Sequence, residues 1–137
     1  MNDQNKRRLL VAGAVVLAAV FLMFGAGKFI DPAKWIDKFV AWGIPAWFVP
    51  VSGALEVAGG IGLLVPVVRG VAGIGLALFM IGAVATHVVH AEIGMIFVAG
   101  AILLGSAAVG WLRLSETLDF LRRDDTGASN TALNRGV

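Results

Sequence analysis

The sequence predicts an all-α membrane protein: a four-transmembrane-helix bundle with a short interfacial helix between the first and second spans. Two observations carry that prediction. The 137 residues are 58% hydrophobic and 15% charged, with a mean hydropathy of +0.87, far from the mix of a soluble domain. Four apolar runs, 9–27, 47–65, 70–89 and 93–111, each approach the roughly 20 residues that a hydrocarbon core of about 30 Å requires. Helices follow, because a lone strand leaves its backbone unsatisfied in lipid. The bundle leaves room for short connections but not for a separate soluble catalytic domain.

The first run follows Lys6, Arg7 and Arg8 and could pass for a signal peptide, but it exceeds a typical hydrophobic region and three more spans follow. It reads as a retained first helix. In the next connection Asp31 is a good N-cap, Pro32 suits the first helical position, and Gly43 and Pro45 close the segment, so a short helix is expected over 32–42. Trp35, Ile36, Phe39 and Val40 fall on one side of it, and Lys34, Asp37, Lys38 and Ala41 on the other. That is the pattern of a helix lying in the membrane surface, where it would cap the outer end of the bundle. Trp35, Trp42 and Trp47 near one interface and Trp111 near the other are expected to act as aromatic anchors. Small residues recur within the spans, where they let helix backbones approach closely. Ser52, Glu56, Gly59 and Gly60 share one side of the second span, so Glu56 is expected to point into the bundle. The chain thus divides into a transmembrane domain over 1–113 and a cytoplasmic tail over 114–137, helical to Arg123 and disordered over its last ten or so residues.

Lys6, Arg7, Arg8, Arg69, Arg113, Arg122 and Arg123 fall on one side of these spans, and only Lys28, Lys34 and Lys38 on the other. Both termini are therefore expected in the cytoplasm. The chain has no cysteine, which excludes disulfides, thiolate metal sites, iron–sulfur clusters and a catalytic thiol within it. His87 and His90 lie at one helix end with Glu92 nearby, but a third ligand at metal spacing is missing, and haem would need histidines on facing helices. No metal or covalent cofactor is expected. Gly25, Ala26, Gly27 and Lys28 lack the spacing of a phosphate-binding loop.

Glu56 is the principal candidate site residue, an acid near the middle of an otherwise uncharged run. An ionised group at such a depth costs about 2.5–3.5 kcal/mol on insertion scales and normally finds a partner. Lys28 and His87 are the two candidates, and the three at graded depth suggest a proton or head-group site. Ser52, Arg69 and His90 are secondary candidates, with Arg69 expected as an orientation determinant and head-group contact in the cytoplasmic turn. The competing reading is that Lys28 snorkels to the interface, Glu56 is an ordinary helix contact and His87 bonds a carbonyl.

Gly25 and Lys28 closing the first span, Asp31 and Pro32, Gly43 to Pro45, Leu55 and Glu56 with Gly59 and Gly60, Arg69 in a tight turn and His87 ending the third span together resemble the DoxX family. The resemblance covers 9–111 and departs from the family at Pro66, which replaces a glycine often seen before the turn arginine. It implies a four-helix protein of the bacterial plasma (inner) membrane, some of whose relatives take part in quinone-linked oxidation or in membrane complexes handling redox stress. The chain carries no self-contained catalytic motif. Three functions stay open: a membrane subunit binding a quinone or other small amphipathic ligand within the bundle, a non-catalytic anchor or assembly factor for a soluble redox enzyme, and a small proton-coupled transporter. The expected partners are the lipid bilayer, a soluble or membrane redox protein and further copies of the chain, with no nucleic acid.

Overall fold

The computed structural model describes the backbone over 2–134 and the side chains of residues 2, 4–114 and Leu118. All regular structure among the described residues is helical: α1 (Asp3–Ile30), α2 (Pro32–Ala41), α3 (Phe48–Leu64), α4 (Arg69–Val89) and α5 (Ile93–Asn134). Three helices, α1, α4 and α5, are long and apolar enough to cross a membrane, while α3 is an apolar helix of 17 residues. Large apolar side chains such as Leu9, Val16, Phe97 and Leu104 stand exposed around the outside, as expected where the solvent is lipid. The expected start of α2 is present: Asp31 caps it by accepting from the Lys34 backbone N–H, and Pro32 opens the first turn. Gly43, at φ +73°, ends the segment in a conformation that favours glycine. The boundary drawn after residue 113 falls inside α5, which is helical to Asn134; residues 135–137 lie outside the described residues.

The helices α1 and α3 each bury a row of residues spaced three and four apart, the period that stacks side chains on one face. In α1 the row is Ala14, Ala18, Phe21, Gly25 and Lys28; in α3 it is Val49, Ser52, Glu56, Gly60 and Leu63. Lys28 and Glu56 therefore continue core-facing rows. Ala14, Ala18, Phe21, Leu63, Leu76, Met80, Ala99 and Val109 form the apolar core between the helices.

Glycines set two close crossings. A Cβ on Gly25 would stand 2.9 Å from the Gly53 carbonyl oxygen, and one on Gly73 would stand 2.6 Å from the Gly110 backbone nitrogen. The first crossing seats α1 on α3 and the second seats α4 on α5.

Arg69 departs from the expected head-group contact. It is buried, its Nε donating to the Leu63 carbonyl at 2.7 Å and its Nη2 to the Leu64 carbonyl at 3.2 Å, so it caps the C-terminus of α3. Helix ends leave carbonyls without internal partners, and a fixed guanidinium fork supplies two bonds at once. Arg69→Gln is expected to lower stability by about 1.5–3 kcal/mol, the range for hydrogen bonds to charged groups. The unfolding midpoint in detergent checks this, and an unchanged midpoint would show that lipid or water replaces the cap.

Candidate functional site

The Gly25–Gly53 approach brings the last turn of α1 against the first half of α3, and Lys28 Nζ lies 2.5 Å from Glu56 Oε2 in a buried ion pair. The ammonium also lies 4.6 Å from the centre of the Trp35 ring, a cation–π distance. One turn away on α3, the buried Ser52 hydroxyl donates to the Val49 carbonyl at 2.9 Å. The burial of Lys28, 4% exposed, rules against its snorkelling in this arrangement.

The pair lies at one wall of a cavity of about 550 Å³. Phe21, Phe24, Phe79 and Met80 provide apolar walls, and α2 closes one end with Trp35, Phe39 and Trp42. Phe24, Trp35, Phe39 and Trp42 meet ring to ring in sequence, at centroid separations of 6.3, 6.4 and 6.0 Å. Those separations suit aromatic pairs that hold one another's orientation.

A second polar cluster lies beside α2. Glu92 accepts from His87 Nδ1 at 2.7 Å and pairs with Lys38 Nζ at 3.5 Å. The turn between α4 and α5 makes this possible: Ala91 takes φ +54°, and the Glu92 N–H donates to the His87 carbonyl, folding Glu92 back over the histidine. Desolvation pushes the Glu92 carboxyl up, but the His87 hydrogen bond and the Lys38 charge outweigh it and hold the group below its usual range. A carboxyl lowered on folding stabilises the fold above its unfolded pKa, and that contribution is lost as pH falls through the folded one. Wild-type protein is therefore expected to lose thermal stability on acidification through the carboxylate range more steeply than Glu92→Gln. Parallel acid profiles of the two would dismiss the cluster as a stabilising contact.

Lys28, Glu56, Ser52 and His87 all line the cavity, so four of the six sequence-predicted site residues come together. His87 bonds Glu92, so the expected three-residue gradient is two separate groups. His90 lies outside: it stacks on Trp42 at 5.4 Å and lines a smaller cavity of about 270 Å³. Arg69 stands at the far end of α3.

The expected faces of α2 need correction. Lys34 and Lys38 line the cavity with Trp35 and Phe39, while Val40 is 55% exposed. Trp35 and Trp42 likewise form part of the cavity wall, whereas Trp47 and Trp111, 65% and 75% exposed, keep the outward placement expected of anchors. Trp42, Lys38 and Glu92 were not among the site residues expected from sequence. One signal was available: Lys38 and Trp42 are four apart, the spacing that places an ammonium over a ring on one helix face, here at 4.6 Å.

No curated protein and no solved structure matches the chain. A match to the DoxX-like family extends over residues 12–113, which takes in every residue of the ion pair, the cavity and the Glu92 cluster, and the chain belongs to that family.

Proposed function

We propose that this DoxX-like protein is a membrane subunit of a quinone-linked redox system that binds a small, amphipathic, quinone-like ligand beside Lys28 and Glu56. The supporting observation is a buried ion pair at one wall of a largely apolar, aromatic-walled cavity of about 550 Å³ that has few other polar side chains. Ligand sites typically combine such a volume with a few convergent polar groups. An ammonium carries three N–H donors and a carboxylate has two oxygens, so the pair can offer a donor to a ring carbonyl and an acceptor to a ring hydroxyl. Aromatic walls suit a flat ring. Electrons would pass only through the ligand or a partner.

In this reading α3 is the fourth span: its 17 residues reach about 25 Å, at the short end of the spanning range. The bundle sits in a bacterial plasma membrane with both termini in the cytoplasm, as the lysine and arginine distribution favours. Native mass spectrometry of wild type beside Glu56→Gln, with lipid extraction, is expected to find a quinone-sized adduct that the variant loses. A wild type that retains no quinone and binds none of a short-chain ubiquinone on titration would overturn the reading.

The anchor reading draws on a different observation. α5 runs to Asn134, about 30 Å past Leu114 at the helical rise. Such an extension could carry a soluble redox enzyme. A protein truncated after Leu114 would then lose a stoichiometric partner that the full chain recovers, and recovery of none by either would remove the reading.

A further inference from the structure

The cavity reaches the outside of the bundle along one helix seam. At one end α1 and α5 are joined, with the Arg113 guanidinium donating to the Arg7 carbonyl at 3.3 Å. Leu17 then lies against Gly105, where an added Cβ would stand 3.3 Å from the leucine side chain. Seven residues further from that end on each helix, roughly 10 Å at the helical rise, the seam is occupied by the cavity. Phe24 of α1 and Val98 of α5 both line it, and Val98 is also 46% exposed. A side chain that lines a cavity and faces the outside marks an opening. Val20, Phe21, Met95, Ala99 and Ile102 complete the α1 and α5 lining, which carries no hydrogen-bonding side chain until Lys28. Water entering between these side chains would find no polar partners, whereas a hydrocarbon chain would pass at little cost.

We infer that the gap between α1 and α5 is a lateral portal to the bilayer, and that the ligand is a lipid-dissolved amphiphile whose tail stays in the portal while its head group meets Lys28 and Glu56. This rests on the cavity binding a ligand, as proposed above. Phe24 at the portal and Lys28 at the pair are one turn apart on α1, about 6 Å of rise, the depth of a single ring. The wall formed by α2 bears on the same point: its aromatic chain covers the cavity on the side facing Lys38 and Glu92, whereas passage through the apolar seam displaces no polar contact.

The chain has no native cysteine, so one reporter thiol can test the route without a ligand. Ala83→Cys places that thiol on α4, inside the cavity. In proteoliposomes, bilayer-soluble N-phenylmaleimide is expected to label it at least ten times faster than a sulfonated maleimide, after correction for each reagent's rate on a free thiol. Val98→Trp or Ile102→Trp, which narrow the portal, should slow the N-phenylmaleimide reaction at least tenfold, and Val98→Ala should speed it. Gly82, on α4, also lines the cavity and is exposed, so Gly82→Trp tests entry from that side, while Leu78→Trp, an outward position on α4 outside the cavity lining, should leave the rate unchanged. Equal labelling by the charged reagent, labelling blocked by Gly82→Trp alone, or no labelling by either reagent would overturn the portal. A failure of quinone binding would appear in the mass spectrometry and leave these rates untouched.

Discussion

Glu56→Ala is expected to lower the stability of the purified protein by about 3–5 kcal/mol, the cost of leaving one member of a buried ion pair without its partner. Lys28 would remain buried with Trp35 beside it and the counter-charge it pairs with removed. The double variant Lys28→Met with Glu56→Leu removes both charges at similar volume and is expected to recover most of the loss, because the desolvation of two ions disappears with their attraction. Neither variant should retain the proposed ligand. Reversible unfolding in mixed micelles reads the first effect, and titration with a short-chain ubiquinone reads the second. A loss below about 1 kcal/mol for Glu56→Ala would mean that Lys28 swings out to the interface once released, and the pair would then be no structural element. A double variant as unstable as the single would instead mean that packing around the side chains matters more than their charge.

Gly73→Val is expected to be as damaging, by a different route. A Cβ at this position would lie 2.6 Å from the Gly110 nitrogen, 2.7 Å from its Cα and 3.0 Å from the Ser106 carbonyl oxygen, all backbone atoms of α5. Flexible side chains can move aside, but a helix backbone moves only as a whole, so α4 and α5 must separate. Overpacking costs about 1–3 kcal/mol and sometimes more, and a clash with backbone belongs at the upper end. In lipid the loss is compounded, since close approach is itself the main attraction between apolar helices. Gly75→Ala makes the contrast: an added Cβ there meets nothing within 4 Å, and the gain in helix propensity should stabilise by about 0.5–1 kcal/mol. Unfolding midpoints for the two variants test the pair, and a tolerated Gly73→Val would show that the crossing has slack.

The two predictions differ in how far the sequence alone could have supported them. That Glu56 faces inward was legible, because it shares one side of its span with Ser52 and Gly60 and an isolated charge in an apolar run demands a partner. Whether Lys28 meets it or snorkels was open until α1 and α3 were placed together. The cap and first turn of α2 were legible for the same reason: Asp31 and Pro32 act through neighbours within a few residues. Arg69 was misread because a turn arginine looks the same whether it meets lipid head groups or the carbonyls closing the helix before it, and only the path of that turn decides. The faces of α2 were misread because polarity was used to assign them. Lys38 sits on the inward side because Glu92, more than fifty residues away, stands there to meet it.

By itself the sequence determined the all-α class, the membrane environment, the limits of α2, α3 and α4 to within a few residues and the inward direction of Glu56, but not the start of α1 or the length of α5. These follow from composition and short-range periodicity, which act within one helix. Which helix lies opposite which, and therefore the Gly73–Gly110 crossing, the Trp35–Trp42 wall and the opening between α1 and α5, was decided only by the tertiary structure. Such features depend on the relative placement of separate helices, and periodicity within each helix is indifferent to the neighbour it will meet.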